Sequence, residues 1–138
     1  MCLDMRYDAE KEKRLINRLP AKPITVYRWV RRKGGGGYVA VFVNYSYHVG
    51  LNHAVVSKKS GQMDLRGAYK AGFHSYKSVG GARRATMRHR TDLVLIKAHI
   101  RKEWITAVGQ SLECTVFVTD RITAPSCRNE SAIVQGRR

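Results

Sequence analysis

The sequence predicts a single α+β domain: a mostly antiparallel sheet of about five to seven strands, an N-terminal helix, and a short basic helix near residues 82–89. Three observations carry this. Residues 24–31, 93–100 and 113–123 are short stretches rich in Val, Ile and Thr that alternate in polarity, the period of a half-buried strand. Residues 4–19 place apolar side chains at helical spacing behind an aspartate cap. The chain has 138 residues, 43% of them hydrophobic, which suffices for one core and is too short for two. The expected domain spans 1–124, with the sheet over 24–123, and 125–138 reads as a flexible tail without periodicity.

In chain order, the first helix is capped by Asp4 or Asp8, carries Leu15, Ile16 and Leu19 as its apolar stripe, and stops at Pro20. The stretch Ile24 to Arg31 is the clearest strand. Its even face puts Arg28 among Ile24, Val26 and Val30, so an arginine falls on a face that should be buried and needs an anionic or structural partner. A basic, glycine-rich turn follows, Arg31-Arg32-Lys33 and Gly34 to Gly37, before a strand over 38–43. The turn lacks the Lys-Ser/Thr of a P-loop and the spacing of a dinucleotide fingerprint. Residues 44–57 mix aromatic and β-branched side chains around Gly50.

The stretch 67–90 organises the rest. It passes from the strand Gly72 to Tyr76, through a Gly80-Gly81 turn, into a helix with Arg83, Arg84 and Arg88 at helical spacing. A helix that starts after a small-residue turn aims free N–H groups and a positive dipole end forward, which suits an anion. Residues 93–100 then form an apolar strand with Lys97 and His99 on one face, and strands at 104–108 and 113–123 complete the sheet.

The charge balance narrows the function. The chain carries 26 Lys and Arg against 10 Asp and Glu, a formal net charge of +16, with a pI of about 10.4. Such self-repulsion is relieved by a negatively charged partner, so nucleic acid or a nucleotide is expected. The expected contacts are Arg31, Arg32, Lys33, Arg83, Arg84, Arg88, Arg90, Arg101 and Lys102, with Tyr27, Trp29, Phe73 and Tyr76 as stacking platforms for bases. A phage- or mobile-element-type inhibitor that binds an acidic host protein or sequesters a nucleotide signal has the same character.

Cys2, Cys114 and Cys127 form no CxxC pair, and an odd number fits free thiols in a reducing, cytoplasmic setting. No apolar run reaches the roughly 20 residues of a membrane span, so no membrane partner is expected. His48 and His53 lack neighbouring carboxylates or thiols, and no metal site is expected.

Three residues in order suggest an enzyme as the alternative. A strand arginine in Val26-Tyr27-Arg28-Trp29, a strand serine in Phe73-His74-Ser75-Tyr76 and the glutamate Glu113 before Cys114-Thr115-Val116 resemble the Arg-Ser-Glu pattern of ADP-ribosyltransferases. The resemblance implies that Arg28 and Ser75 help hold NAD and that Glu113 promotes transfer of ADP-ribose. The family's Ser-Thr-Ser reads Ser75-Tyr76-Lys77-Ser78 here, and Ser111 stands where the family carries Gln or Glu.

Overall fold

The computed structural model describes residues 3–33, 37–41, 45–54, 72–84 and 92–134. The elements run β1 (Met5–Arg6), α1 (Ala9–Asn17), β2 (Ile24–Arg32), β3 (Tyr38–Ala40), β4 (Gly50–His53), β5 (Phe73–Tyr76), α2 (Val79–Arg84), β6 (Leu93–Ile100), β7 (Ile105–Ser111), β8 (Cys114–Thr119) and β9 (Arg121–Ala124). Single 3-10 turns lie at Lys102–Trp104 and Glu130–Ala132. The class is α+β and every ladder is antiparallel. Among the described residues the sheet has nine strands, above the expected five to seven, in the order β1-β7-β8-β5-β2-β6-β9-β4 with β3 on β2. The additional strands arise where alternation is too short to read. β1 is two residues paired to Gly109 and Gln110, and the stretch 113–123 breaks at Asp120, whose N–H bonds the Trp104 carbonyl.

α1 is shorter than the expected 4–19 because its leading residues join the sheet edge. Asp8 is the cap, its carboxylate accepting from the Lys11 N–H at 2.8 Å, with Glu10 and Glu12 in the first turn where the helix dipole favours them. Asp4 instead accepts from the Leu112 N–H at 2.7 Å and so ties the N-terminus to the β7–β8 turn. α2 begins three residues before the expected start. Ser78 caps it, accepting the Gly81 N–H at 3.1 Å, so Gly80 and Gly81 form the first helical turn and not a preceding loop. Arg88 and Arg90 lie outside the described residues.

Side-chain alternation gives the sheet two unlike faces. The inner face carries Val26, Ala98, Ile100, Phe73, Phe117, Val108 and Ile122, against which α1 lays Leu15 and Ile16, the residues after it lay Leu19, and the 45–47 segment lays Tyr45 and Tyr47. Over half of the outer face, Leu3, Ala82 of α2 and Val134 cover Tyr76, Leu95, Val116 and Val118. The expected tail is therefore corrected as far as residue 134. Ile133 bridges Ile96, and the Val134 N–H bonds the Leu95 carbonyl at 2.8 Å. The segment takes up β6 backbone groups that β9, paired to β6 at His99↔Thr123, leaves unpaired.

The β7–β8 connection is a two-residue turn between Ser111 and Cys114, with Leu112 at φ 52° and Glu113 at φ 65°. Two left-handed residues in succession match a type I′ hairpin turn, which ordinarily carries Asn-Gly. The double substitution Leu112→Asn and Glu113→Gly is expected to raise the unfolding free energy by about 1–2 kcal/mol in urea melts, since Gly removes the Cβ strain at 113 and Asn tolerates the left-handed conformation at 112 better than Leu. A lowered midpoint would show that the Leu112 side chain contributes more than the strain costs.

Candidate nucleic-acid interface

Beyond the part covered by α2, the outer face of β2, β6, β9 and β4 is open among the described residues. The registers Thr25↔His99, His99↔Thr123 and Leu51↔Thr123 line up one side chain from each strand across the sheet. Tyr27 beside Lys97 flanks this row on one side, and Arg121 beside His53 on the other. Thr25, Lys97, His99, Leu51, Arg121 and His53 are exposed, while Tyr27 and Thr123 are half-buried. Three strand spacings make the row about 14 Å wide.

The electrostatics follow from the placement of the carboxylates. No described strand contains an Asp or Glu; those described lie in α1, the 3-10 turns and the connections. Lys97 and Arg121 have no ion-pair partner among the described residues. Among the described residues of these strands the patch thus carries basic side chains and no carboxylate to compete for an anion.

The seven nominated cations that lie among the described residues divide three ways. Arg31 shares the outer face by alternation, half-buried, and α2 carries Arg83 and Arg84 on the same side of the sheet. Arg84 reaches 3.7 Å from the Cys114 sulfur. Arg32 and Lys33 are exposed at the end of β2. Arg101 is already engaged, donating to Glu103 at 2.7 Å and to the Ala21 carbonyl at 2.9 Å, and that hydrogen bond holds the Glu103 carboxyl below its usual range. Lys102 is half-buried in the 3-10 turn beside it.

Of the four stacking platforms, only Tyr27 keeps an accessible place on the open half. Phe73 belongs to the inner core, and Tyr76 is buried under the outer cover, where burial raises its phenol pKa against a hydrogen bond from Ser111. Trp29 packs on the same cluster and donates its indole N–H to the Ala82 carbonyl at 2.8 Å, so it anchors α2. A ring enclosed in a core offers no face to a base.

The transferase-like set is not brought together. Arg28 and Ser75 stand opposite each other on the inner face, while Glu113 is exposed in the β7–β8 turn. Glu113 lies four residues along from Phe117, the partner of Ser75, a path of about 13 Å.

Sequence reasoning paired Lys97 with His99 but missed Arg121, His53, Thr25 and Thr123. The alternation in each strand was the available signal, and the register that assembles them was not. No protein-family model, curated protein or solved structure matches this chain.

The seating of α2 beside this face is testable through its two glycines. A Cβ on Gly81 would stand 2.8 Å from Cys114 Cβ and 3.2 Å from its Sγ, whereas a Cβ on Gly80 meets nothing within 4 Å. Gly81→Ala is expected to lower stability by about 1–3 kcal/mol, and Gly80→Ala to raise it by about 0.5–1 kcal/mol through helix propensity. Equal effects of the two in urea denaturation would contradict the close approach of α2 to β8.

Proposed function

We propose that the chain is a non-enzymatic binder of a phosphate-rich partner, nucleic acid in the first place, and that the open half of the outer face is its contact surface. The observation that carries this reading is the row Thr25, His99, Thr123 and Leu51, flanked by Lys97, Arg121 and His53, on strands devoid of carboxylates. Lys97 and Arg121 supply backbone-phosphate contacts that set affinity without reading sequence. Tyr27, next to Lys97, is the side chain placed to meet a base. Arg31, Arg83 and Arg84 extend the positive field on the same side of the sheet.

Each phosphate neutralised releases condensed counterions, so affinity falls with salt in proportion to the number of contacts. In fluorescence anisotropy with a labelled oligonucleotide between about 50 and 200 mM salt, the double variant Lys97→Ala, Arg121→Ala is expected to reduce the log–log slope by nearly 2 units for duplex and about 1.4 for single strand. Arg101→Ala, whose guanidinium is engaged with Glu103, is expected to leave the slope within a few tenths of its original value. A slope unaltered by the double variant would remove this face as the contact surface.

A further inference from the structure

The open half of the outer face carries more than cations. The ladder that sets Tyr27 against Lys97 and Thr25 against His99 makes Tyr27 and His99 diagonal neighbours on adjacent strands, roughly 7–8 Å apart between Cα atoms. At the sheet edge, two strands from His99, His53 stands against Arg121 and Leu51 against Thr123. Three rings and an aliphatic side chain therefore share the surface with Lys97 and Arg121. His99, His53 and Leu51 are exposed, Leu51 at 49%, and Tyr27 is half-buried. Such side chains contribute to binding only where the partner offers an apolar surface of its own.

A duplex makes poor use of this arrangement. Its bases are stacked inside, so what it presents to a protein is phosphate and sugar on the outside and base edges within the grooves. The major groove, about 12 Å wide, admits a helix or a two-stranded ribbon. The row Thr25, His99, Thr123 and Leu51 crosses four adjacent strands and is about 14 Å wide before its side chains are counted. It is too broad to enter. On a duplex, then, Lys97 and Arg121 would meet phosphates while the rings and Leu51 met nothing apolar.

A strand with unpaired bases exposes what a duplex hides. Each base has a face that stacks on a ring, and the phosphates stay available to cations. Lys97 and Arg121 lie on opposite flanks of the row, four residues of strand length and one strand spacing apart, which is about 14 Å. Bases can lie on the row between those two contacts.

We infer that the partner of this face is single-stranded nucleic acid, with bases stacked on Tyr27 and His99 and phosphates held by Lys97 and Arg121. The inference rests on the outer-face reading and specifies the strand state of its ligand. Leu51 and His53 carry the contact on to the sheet edge. Because every base has a π-face, binding of this kind tolerates sequence.

The test compares a labelled single-stranded oligonucleotide of mixed sequence with a duplex of the same length, by fluorescence anisotropy over the same salt series. At about 200 mM salt, where the phosphate contribution is weakened for both, the single strand is expected to bind roughly tenfold more tightly. His99→Ala is expected to weaken single-strand binding by roughly tenfold and to leave duplex binding within about twofold. His99→Phe, which keeps a ring and can carry no charge, is expected to retain the single-strand affinity. Both substitutions alter an exposed side chain and leave the buried face of β6 untouched.

Equal or tighter duplex binding, with a salt slope that still falls in Lys97→Ala, Arg121→Ala, overturns the single-strand assignment and leaves the surface standing. A single-strand preference that survives His99→Ala, or that is lost in His99→Phe as well, overturns stacking on this face. A slope untouched by the double variant removes the surface itself, so the two failures are told apart.

Discussion

The ladder between β2 and β6 is the constraint on which the rest of the structure depends. Its eight paired positions run from Ile24↔Ile100 to Arg31↔Leu93 without interruption. With a side-chain period of two, that register settles the face of every residue on both strands, and a slip by one would exchange the faces. It puts Arg28 inward with Val26, Val30 and Ile96, and puts Lys97 and His99 outward beside Tyr27 and Thr25. Packing supports the arrangement, because Val26, Val30, Ile96, Ala98 and Ile100 are all essentially inaccessible. The reversed register would bring Lys97 and His99 into that core.

From this ladder the two faces acquire different covers. The inner face is closed by the apolar stripe of α1 and by the aromatic group Tyr45, Tyr47 and Phe73, whose rings meet at centroid distances of 5.2 to 5.9 Å. The outer face is closed over one half by α2, held by the Trp29 indole and by the close fit of Gly81 against Cys114. Three residues at the far end of the described chain, 132–134, finish that cover along β6. The cover ends near Tyr27, and past it Lys97 of β6, Arg121 of β9 and His53 of β4 face solvent.

Charge is partitioned by the same geometry. A chain of net charge +16 keeps its carboxylates out of the described strands, so those available for pairing sit at helix starts and turns. Glu12 pairs with Arg6 at 3.3 Å beside α1, and Glu103 with Arg101 at the 3-10 turn. Neither pair reaches the open sheet face or the guanidinium of Arg28. The phosphate-directed reading of the outer face follows from that separation.

Local pattern in the amino-acid order was enough to establish the α+β class, the β2 and β6 strands, the apolar stripe of α1, the inward position of Arg28 and the shared face of Lys97 and His99. All of these depend on periodicity or capping within about ten residues, where side-chain direction is set by the backbone itself. Tertiary structure decided which strands adjoin, and hence that Thr123, Leu51, Arg121 and His53 join Thr25 and His99 on one surface. It also decided that Trp29, Phe73 and Tyr76 are packing residues, that the Gly80-Gly81 pair lies inside α2, and that residues 132–134 are held against β6. Alternation reports that two faces exist, but which face is covered is settled by contacts between segments far apart in the chain, and no local period encodes those.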